Sequence, residues 1–272
     1  MKPLYQIKLI AFSIHLLFSI SIFCIALGLI TWIWYPGFFA DASDVWQALY
    51  TMAFVDVGLG PLLMLVLYKP GKPGLKFDLG MIVVFQLSAL IWGSWVLYSQ
   101  RPVLAVFDEG VVYCLGPMHV KANQADLSSF STSTNLLPLA YLPFAENVEA
   151  EYTRQQRIIN SPKNLPGVGA YVLGDLFQPV NAKNLPQLLN EELDVQPALD
   201  KNPDYQKLWQ QLLQRHPQGI EHLAFLTLSC STKDYLIALD RQSGVISDGV
   251  AISFLNTRKK RSSAQHKQTN TP

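Results

Sequence analysis

Long apolar runs and short alternating runs divide the chain at about Arg101. Before Arg101, three stretches at residues 9–35, 45–68 and 79–98 carry no charge apart from Asp56 and any proton on His15. A helix rises about 1.5 Å per residue, so about 20 residues cross a hydrocarbon core about 30 Å thick. The pattern predicts three transmembrane helices within residues 1–100.

After Arg101 the apolar runs shorten to about five residues, which is typical of strands. Residues 103–107 and 111–115 flank Asp108-Glu109-Gly110, a sequence that predicts a β-hairpin with Gly110 at positive φ. Further elements follow from the spacing: strands at 224–229, 235–240 and 245–247, and helices at 185–193 and 204–215. Residues 101–256 are therefore expected to form one α+β domain, followed by a disordered basic tail at 257–272.

The distribution of charge in the short connecting segments predicts the orientation of the helices. Lys2 and Lys8 lie at the start of the chain, before the first apolar run. The segment between the second and third runs carries three cations, Lys69, Lys72 and Lys76, and one acid, Asp78. The loop between the first and second runs carries only acids, Asp41 and Asp44. Short cytoplasmic loops are enriched in Lys and Arg, so we expect a cytoplasmic N-terminus, a cytoplasmic 69–78 loop and a periplasmic C-terminal domain.

Asp56 is the first candidate functional residue, because an Asp at a helix centre costs about 2.5–3.5 kcal/mol on insertion scales. Measured from the cytoplasmic ends, Asp56 lies about 18 Å deep, His15 about 9 Å and Gln86 about 10 Å. His15 and Gln86 are thus level with each other, whereas Asp56 is closer in depth to Ser88. A His15–Asp56 ion pair would require tilted or staggered helices. Asp56 either packs against or recognises a partner helix, or it is a structural residue satisfied by polar neighbours in this chain or by water.

Gly58, Gly60 and Pro61 follow Asp56 and form a weak point in the second predicted helix. The glycines permit close approach of another helix, and Pro61 leaves a carbonyl group near Val57 without its usual donor. This segment is either a simple kink or a notch in which another helix docks.

Cys114 and Cys230 lie at the ends of predicted strands in an oxidising compartment, where a disulfide between them is possible. A zinc site that combines these thiols with His119 lacks a C-x-x-C spacing and a fourth ligand. Motifs of hydrolases, zinc proteases and nucleotide-binding enzymes are missing from the sequence. We therefore expect no catalytic residues, no cofactor, no metal and no nucleic-acid partner.

Several segments resemble the TfpX/TfpZ-type accessory proteins of type IV pilins. They are residues 12–17 (FSIHLL), 34–36 (WYP), 55–63 (VDVGLGPLL), 69–72 (KPGK) and 75–79 (LKFDL), followed by 101–103 (RPV). The resemblance implies a protein of the bacterial inner membrane that associates with a major pilin and helps that pilin to be assembled or displayed. It also implies contact with the pilus assembly machinery, and it supplies no catalytic residues.

Two other functions compete with this expectation. A membrane-anchored sensor would bind a ligand in the periplasmic domain, but the predicted cytoplasmic segments are too short to contain an output domain. A polytopic enzyme acting on lipid or glycan would need several acids or histidines at the outer interface, where the sequence places Asp41 and Asp44. A deep polar pocket in the periplasmic domain would favour the sensor, and clustered acids at that interface would favour the enzyme.

Overall fold

The computed structural model describes residues 4–130, 136–163, 165–230 and 234–252, which form two compact units. The helical unit comprises the residues up to Pro36 together with Asp44–Gln100. The sheet unit comprises Gly37–Ser43 and the chain from Arg101 onward. The chain therefore passes between the two units three times. The basic tail predicted at 257–272 lies outside the described residues.

Three helices among the described residues are long and apolar enough to cross a membrane, which confirms the prediction from the apolar runs. They are the first span, Tyr5–Trp34, the second span, Val45–Leu67, and the third span, Leu75–Gln100. In chain order the helical segments as far as Gln100 are α1 Leu4–Gly28, a π-helix Leu29–Trp34, α2 Phe39–Ala42, α3 Val45–Ala53, a π-helix Phe54–Leu59, α4 Gly60–Leu67 and α5 Leu75–Gln100.

The second span packs against both of the other spans. The first and third spans also meet where the first span ends. There the Tyr35 hydroxyl donates a hydrogen bond of 2.8 Å to the Leu97 carbonyl. The rings of Trp34 and Tyr98 pack edge to face, with their centroids 5.1 Å apart.

The sheet unit contains a mixed sheet of seven strands within the described residues, in the order β4-β3-β1-β2-β5-β6-β7. The strands are β1 Leu104–Asp108, β2 Val111–Leu115, β3 Leu139–Tyr141, β4 Gln178–Pro179, β5 Leu223–Ser229, β6 Asp234–Asp240 and β7 Ile246–Val250. β1 runs parallel to β3, and β2 runs parallel to β5, while the other neighbouring pairs are antiparallel. The mixed α/β domain expected after the spans is thus confirmed.

Both faces of the sheet are covered, because successive side chains of a strand point to opposite faces. In β1, Ala105 and Phe107 join one hydrophobic cluster, whereas Leu104 and Val106 join another. The helices of this unit are α6 Pro117–Ala122, α7 Val148–Ile159, α8 Gly169–Val172, α9 Leu185–Leu189, α10 Gln196–Leu199 and α11 Pro203–Arg215, with 3₁₀ turns at Leu127–Ser129 and Gly174–Leu176.

The loop that connects the first two spans is part of the core of the sheet unit. Phe39 and Ala42 of α2 are fully buried in the same cluster as Leu226 and Ile237 of the sheet. Phe38 stacks on Phe39 with ring centroids 4.4 Å apart. The sequence places this segment in a short outer loop and gives no sign that it completes a core 60 residues or more along the chain.

The predicted β-hairpin is confirmed by the antiparallel pairing of β1 with β2, and Gly110 has a φ of 77° in its turn. The helix predicted at 204–215 is observed as α11, whose preceding Asn202 side chain accepts a hydrogen bond from the Asp204 amide. The helix predicted at 185–193 is shorter than expected. It ends at Leu189, and the amide of Leu193 instead donates to the carbonyl of Phe225 in β5.

Candidate functional site

Asp56 lies at the midpoint of the second span, and its side chain is only 5% exposed. Both carboxyl oxygens are buried, and neither has a hydrogen-bond partner among the described residues. A buried polar group without a partner costs about 1–3 kcal/mol. The structure therefore gives no support to a carboxyl group that is satisfied within this chain.

The polar groups nearest to Asp56 bond to one another and to its backbone. His15 Nε2 lies 2.7 Å from Gln86 Oε1, so the two residues at equal predicted depth form a hydrogen bond. The Gln86 side-chain amide donates to the Asp56 carbonyl at 2.8 Å and to the Ser19 hydroxyl at 3.4 Å. The third span thus contacts the Asp56 backbone through Gln86.

The backbone around Asp56 explains why its carbonyl can accept this bond. In an α-helix the Gly60 amide would donate to the Asp56 carbonyl, four residues earlier. Here the Gly60 amide donates to the Val55 carbonyl, as a π-helix requires. The next residue, Pro61, has no N–H to replace it. The Asp56 carbonyl is therefore left for the side chain of Gln86.

Gly60 also makes room for that side chain. A Cβ atom at Gly60 would lie 1.8 Å from Gln86 Nε2, whereas one at Gly58 would meet nothing closer than 3.7 Å, on Phe54. Gly60 and Pro61 are both buried. The notch predicted at residues 58–61 is thus filled at Gly60 by the third span of the same chain.

A cavity of about 300 Å³ lies beside this cluster, within the helical unit. The residues that line it are His15, Phe18, Ser19, Ile22, Asp56, Val83, Gln86, Leu87 and Leu90. Asp56 contributes a carboxyl group to walls that are mostly apolar. Ser19 is missing from the sequence-based candidates, although its position four residues after His15 places both on one face of the first span.

The loop between the second and third spans is basic and exposed, as its residue types predict. Lys72 forms an ion pair with Asp78, and the Lys72 amide donates to the Lys69 carbonyl in the turn. Lys69 and Lys76 are also exposed. These side chains do not approach the polar cluster around Asp56 in the described contacts, and no chemistry beyond surface charge follows from them.

Cys114 and Cys230 are joined by a disulfide bond. The parallel register of β2 and β5 explains the pairing, because Tyr113 lies opposite Ser229 and the two cysteines follow immediately. The bond consumes the thiolates that a zinc ion would require. The remaining cysteine described by the structure, Cys24, is free and exposed.

The buried ionisable groups of the sheet unit have partners within that unit. Burial raises the pKa of Asp108, although a hydrogen bond from the Ala170 amide at 2.8 Å opposes this shift. Arg154 lies 3.7 Å from the same carboxyl group and donates to the Pro143 carbonyl. Burial also raises the pKa of Tyr171 to about 12. These contacts stabilise the fold and leave the cluster around Asp56 as the candidate site.

Comparison with known proteins gives matches to fimbrial proteins of one bacterium. The chain is 36% identical over 99 residues to the fimbrial assembly protein of serogroups C1 and C2 of Dichelobacter nodosus. The match covers 35% of this chain and 75% of that relative. The chain belongs to the fimbrial assembly proteins. The chain also matches the fimbrial assembly proteins of serogroups I and E1 of the same organism, again at 36% identity, over 38% of the length of each.

The match thus covers less than half of the length of the serogroup I relative and of the serogroup E1 relative. No family model matches this fimbrial assembly protein, and no solved structure resembles it significantly.

Proposed function

We propose that the chain is a non-enzymatic accessory protein of a type IV pilus that binds the pilin subunit in the inner membrane. In this role it assists the stability or assembly of the subunit, or the dynamics of the pilus. The observation that carries the proposal is the 36% identity to a fimbrial assembly protein over three quarters of that relative's length. The resemblance of several segments to TfpX/TfpZ-type proteins supports the more specific assignment.

The two units suit such a partner. A pilin subunit waits in the inner membrane as a single hydrophobic helix with a globular head outside, so a helper needs one surface within the bilayer and another beyond it. The helical unit offers the surface within the bilayer. The sheet unit, which has its own hydrophobic clusters, offers the surface beyond the bilayer.

The proposed orientation has the N-terminus in the cytoplasm and the sheet unit in the periplasm. Two independent features support it. The exposed lysines Lys69, Lys72 and Lys76 lie between the second and third spans, where the positive-inside rule expects cytoplasm. The disulfide between Cys114 and Cys230 suits an oxidising compartment such as the periplasm.

A deletion strain and a tagged protein test the proposal. Loss of the gene should reduce the number of surface pili counted by electron microscopy, and the wild-type gene should restore it. The tagged protein, extracted in mild detergent, should retain the pilin subunit, whereas a tagged unrelated protein with three spans should not. Unchanged piliation together with no recovery of pilin would reject the proposed function.

A further inference from the structure

The cavity beside Asp56 opens between partly exposed faces of the first and third spans. Its lining residues lie at positions 15, 18, 19 and 22 of the first span and at 83, 86, 87 and 90 of the third, which is the i, i+3, i+4, i+7 spacing of one helix face. Each set is therefore a single stripe along its helix. Phe18, Val83 and Leu87 of these stripes are exposed. The space is a groove on the surface of the helical unit, with Asp56 of the second span behind it.

The chemistry of the groove restricts its occupant. Asp56 offers two buried oxygens that accept hydrogen bonds and have no partner among the described residues. It lies at the midpoint of the second span, about 15 Å from either edge of the hydrocarbon core. Lipid head groups do not reach that depth, and acyl chains carry no donor. A side chain on another membrane helix can supply a donor at that depth.

The volume of the groove indicates how much of that helix enters it. A cavity of 150 Å³ in a protein core accommodates about one benzene ring, so about 300 Å³ accommodates one large side chain rather than a helix. Side chains with an apolar stem and a donor at the end are those of Lys, Arg, Trp and Tyr. Such a side chain would cover the apolar walls and bond to Asp56 once the buried carboxyl group rotates toward the groove.

We propose that a membrane helix of a partner lies over the groove and inserts one such side chain, whose donor bonds to Asp56. Only the identity of the partner, the pilin subunit, rests on the proposed function. The groove then explains why an unpaired carboxyl group is retained at the bilayer centre. The His15–Gln86 bond joins the first and third spans, which form the walls of the groove. The bond from Gln86 to the Asp56 backbone joins the third span to the second.

Photo-crosslinking in native membranes tests this proposal with the full chain. Phe18 lines the groove and is 65% exposed, and Phe85 is 67% exposed but does not line it. Benzoylphenylalanine placed at Phe18 should form an adduct with pilin at least tenfold more efficiently than at Phe85. Asp56→Leu should reduce the Phe18 adduct at least fivefold, whereas Asp56→Asn, whose amide carbonyl still accepts, should retain most of it.

A second pair of variants leaves Asp56 intact. Val83 lines the groove and its neighbour Val84 does not, and both are exposed. Val83→Trp should fill the groove and reduce the Phe18 adduct at least fivefold, whereas Val84→Trp should leave it unchanged. Equal adducts from Phe18 and Phe85 would overturn the proposal that a partner helix docks in the groove. An adduct that is insensitive to both Asp56→Leu and Val83→Trp would overturn it as well.

The identity of the adduct separates this proposal from the proposed function. If pilin co-purifies with the tagged protein but forms no Phe18 adduct, docking in the groove is rejected and the proposed pilin-binding function is retained. If the Phe18 adduct contains the helix of a different, identified membrane protein and is lost in Asp56→Leu, docking in the groove is supported and pilin is rejected as the partner. Adducts with lipid alone, or with a second copy of this chain, reject the groove.

Discussion

At the scale of single residues, the carboxyl group of Asp56 and the backbone around it play different parts. The side-chain oxygens are unpaired among the described residues, whereas the carbonyl is bonded to the Gln86 amide. The carbonyl bond depends on a change in backbone pairing at Gly60 and on the missing Cβ at that position. The depth estimate from the sequence places His15 level with Gln86, but it predicts neither their hydrogen bond nor the contact of Gln86 with the Asp56 backbone.

Gly60 and Gly58 offer a matched test of this arrangement. Gly60→Ala should displace the Gln86 side chain and break its bonds to His15 and Asp56, which costs about 1–3 kcal/mol of stability through overpacking. Gly58→Ala should be neutral or stabilising by up to about 1 kcal/mol, because a methyl group fits there and Ala favours a helix. The free energy of unfolding in detergent micelles measures both. Equal stabilities would show that Gln86 does not depend on Gly60.

At the scale of elements, the pairing of strands brings residues together that are far apart in the chain. β2 and β5 are neighbours and parallel, which places Cys114 beside Cys230 across a separation of 116 residues. In the chain-entropy model a closed loop of that length stabilises the fold by about 4–5 kcal/mol. The sequence supplies both cysteines, but their distance depends on strand order.

Replacement of one cysteine tests this contribution. Cys114→Ser should lower the free energy of unfolding of the sheet unit by about 2–5 kcal/mol and make that unit sensitive to proteases. Cys24→Ser should have no measurable effect, since Cys24 is free and exposed on the first span. Limited proteolysis under increasing urea compares the two variants. Equal resistance of Cys114→Ser and the wild type would contradict a stabilising bond.

At the scale of the whole molecule, Gly37–Ser43 belongs to the sheet unit although it connects two membrane spans. Phe39 is fully buried among residues of β5 and β6, and Gly249 of β7 lies so close to Phe38 that a Cβ there would be 2.7 Å from its ring. The sheet unit is therefore assembled from two separate parts of the chain. A fragment that begins at Arg101 lacks part of its own core.

Two substitutions of phenylalanine measure the importance of this segment. Phe39→Ala in the full chain should destabilise the sheet unit by about 3–5 kcal/mol, as truncation of a buried aromatic ring does. Phe144→Ala, at a position 46% exposed in the same unit, should cost much less. Hydrogen exchange of the β5 and β6 amides, followed by mass spectrometry, reports on this unit alone. If both variants exchange equally, Phe39 does not support the core.

The sequence by itself determined the three spans, the β1–β2 hairpin and the position of an acid, Asp56, at the centre of a span. Each of these depends on local properties: the length of an apolar run against the bilayer thickness, the positive φ available to Gly110, and the cost of an acid in hydrocarbon. Only the tertiary structure decided that the Asp56 carboxyl group has no hydrogen-bond partner among the described residues, that Cys114 meets Cys230 and that Phe39 enters the sheet core. These features depend on which distant segments pack together, and local periodicity does not encode that pairing.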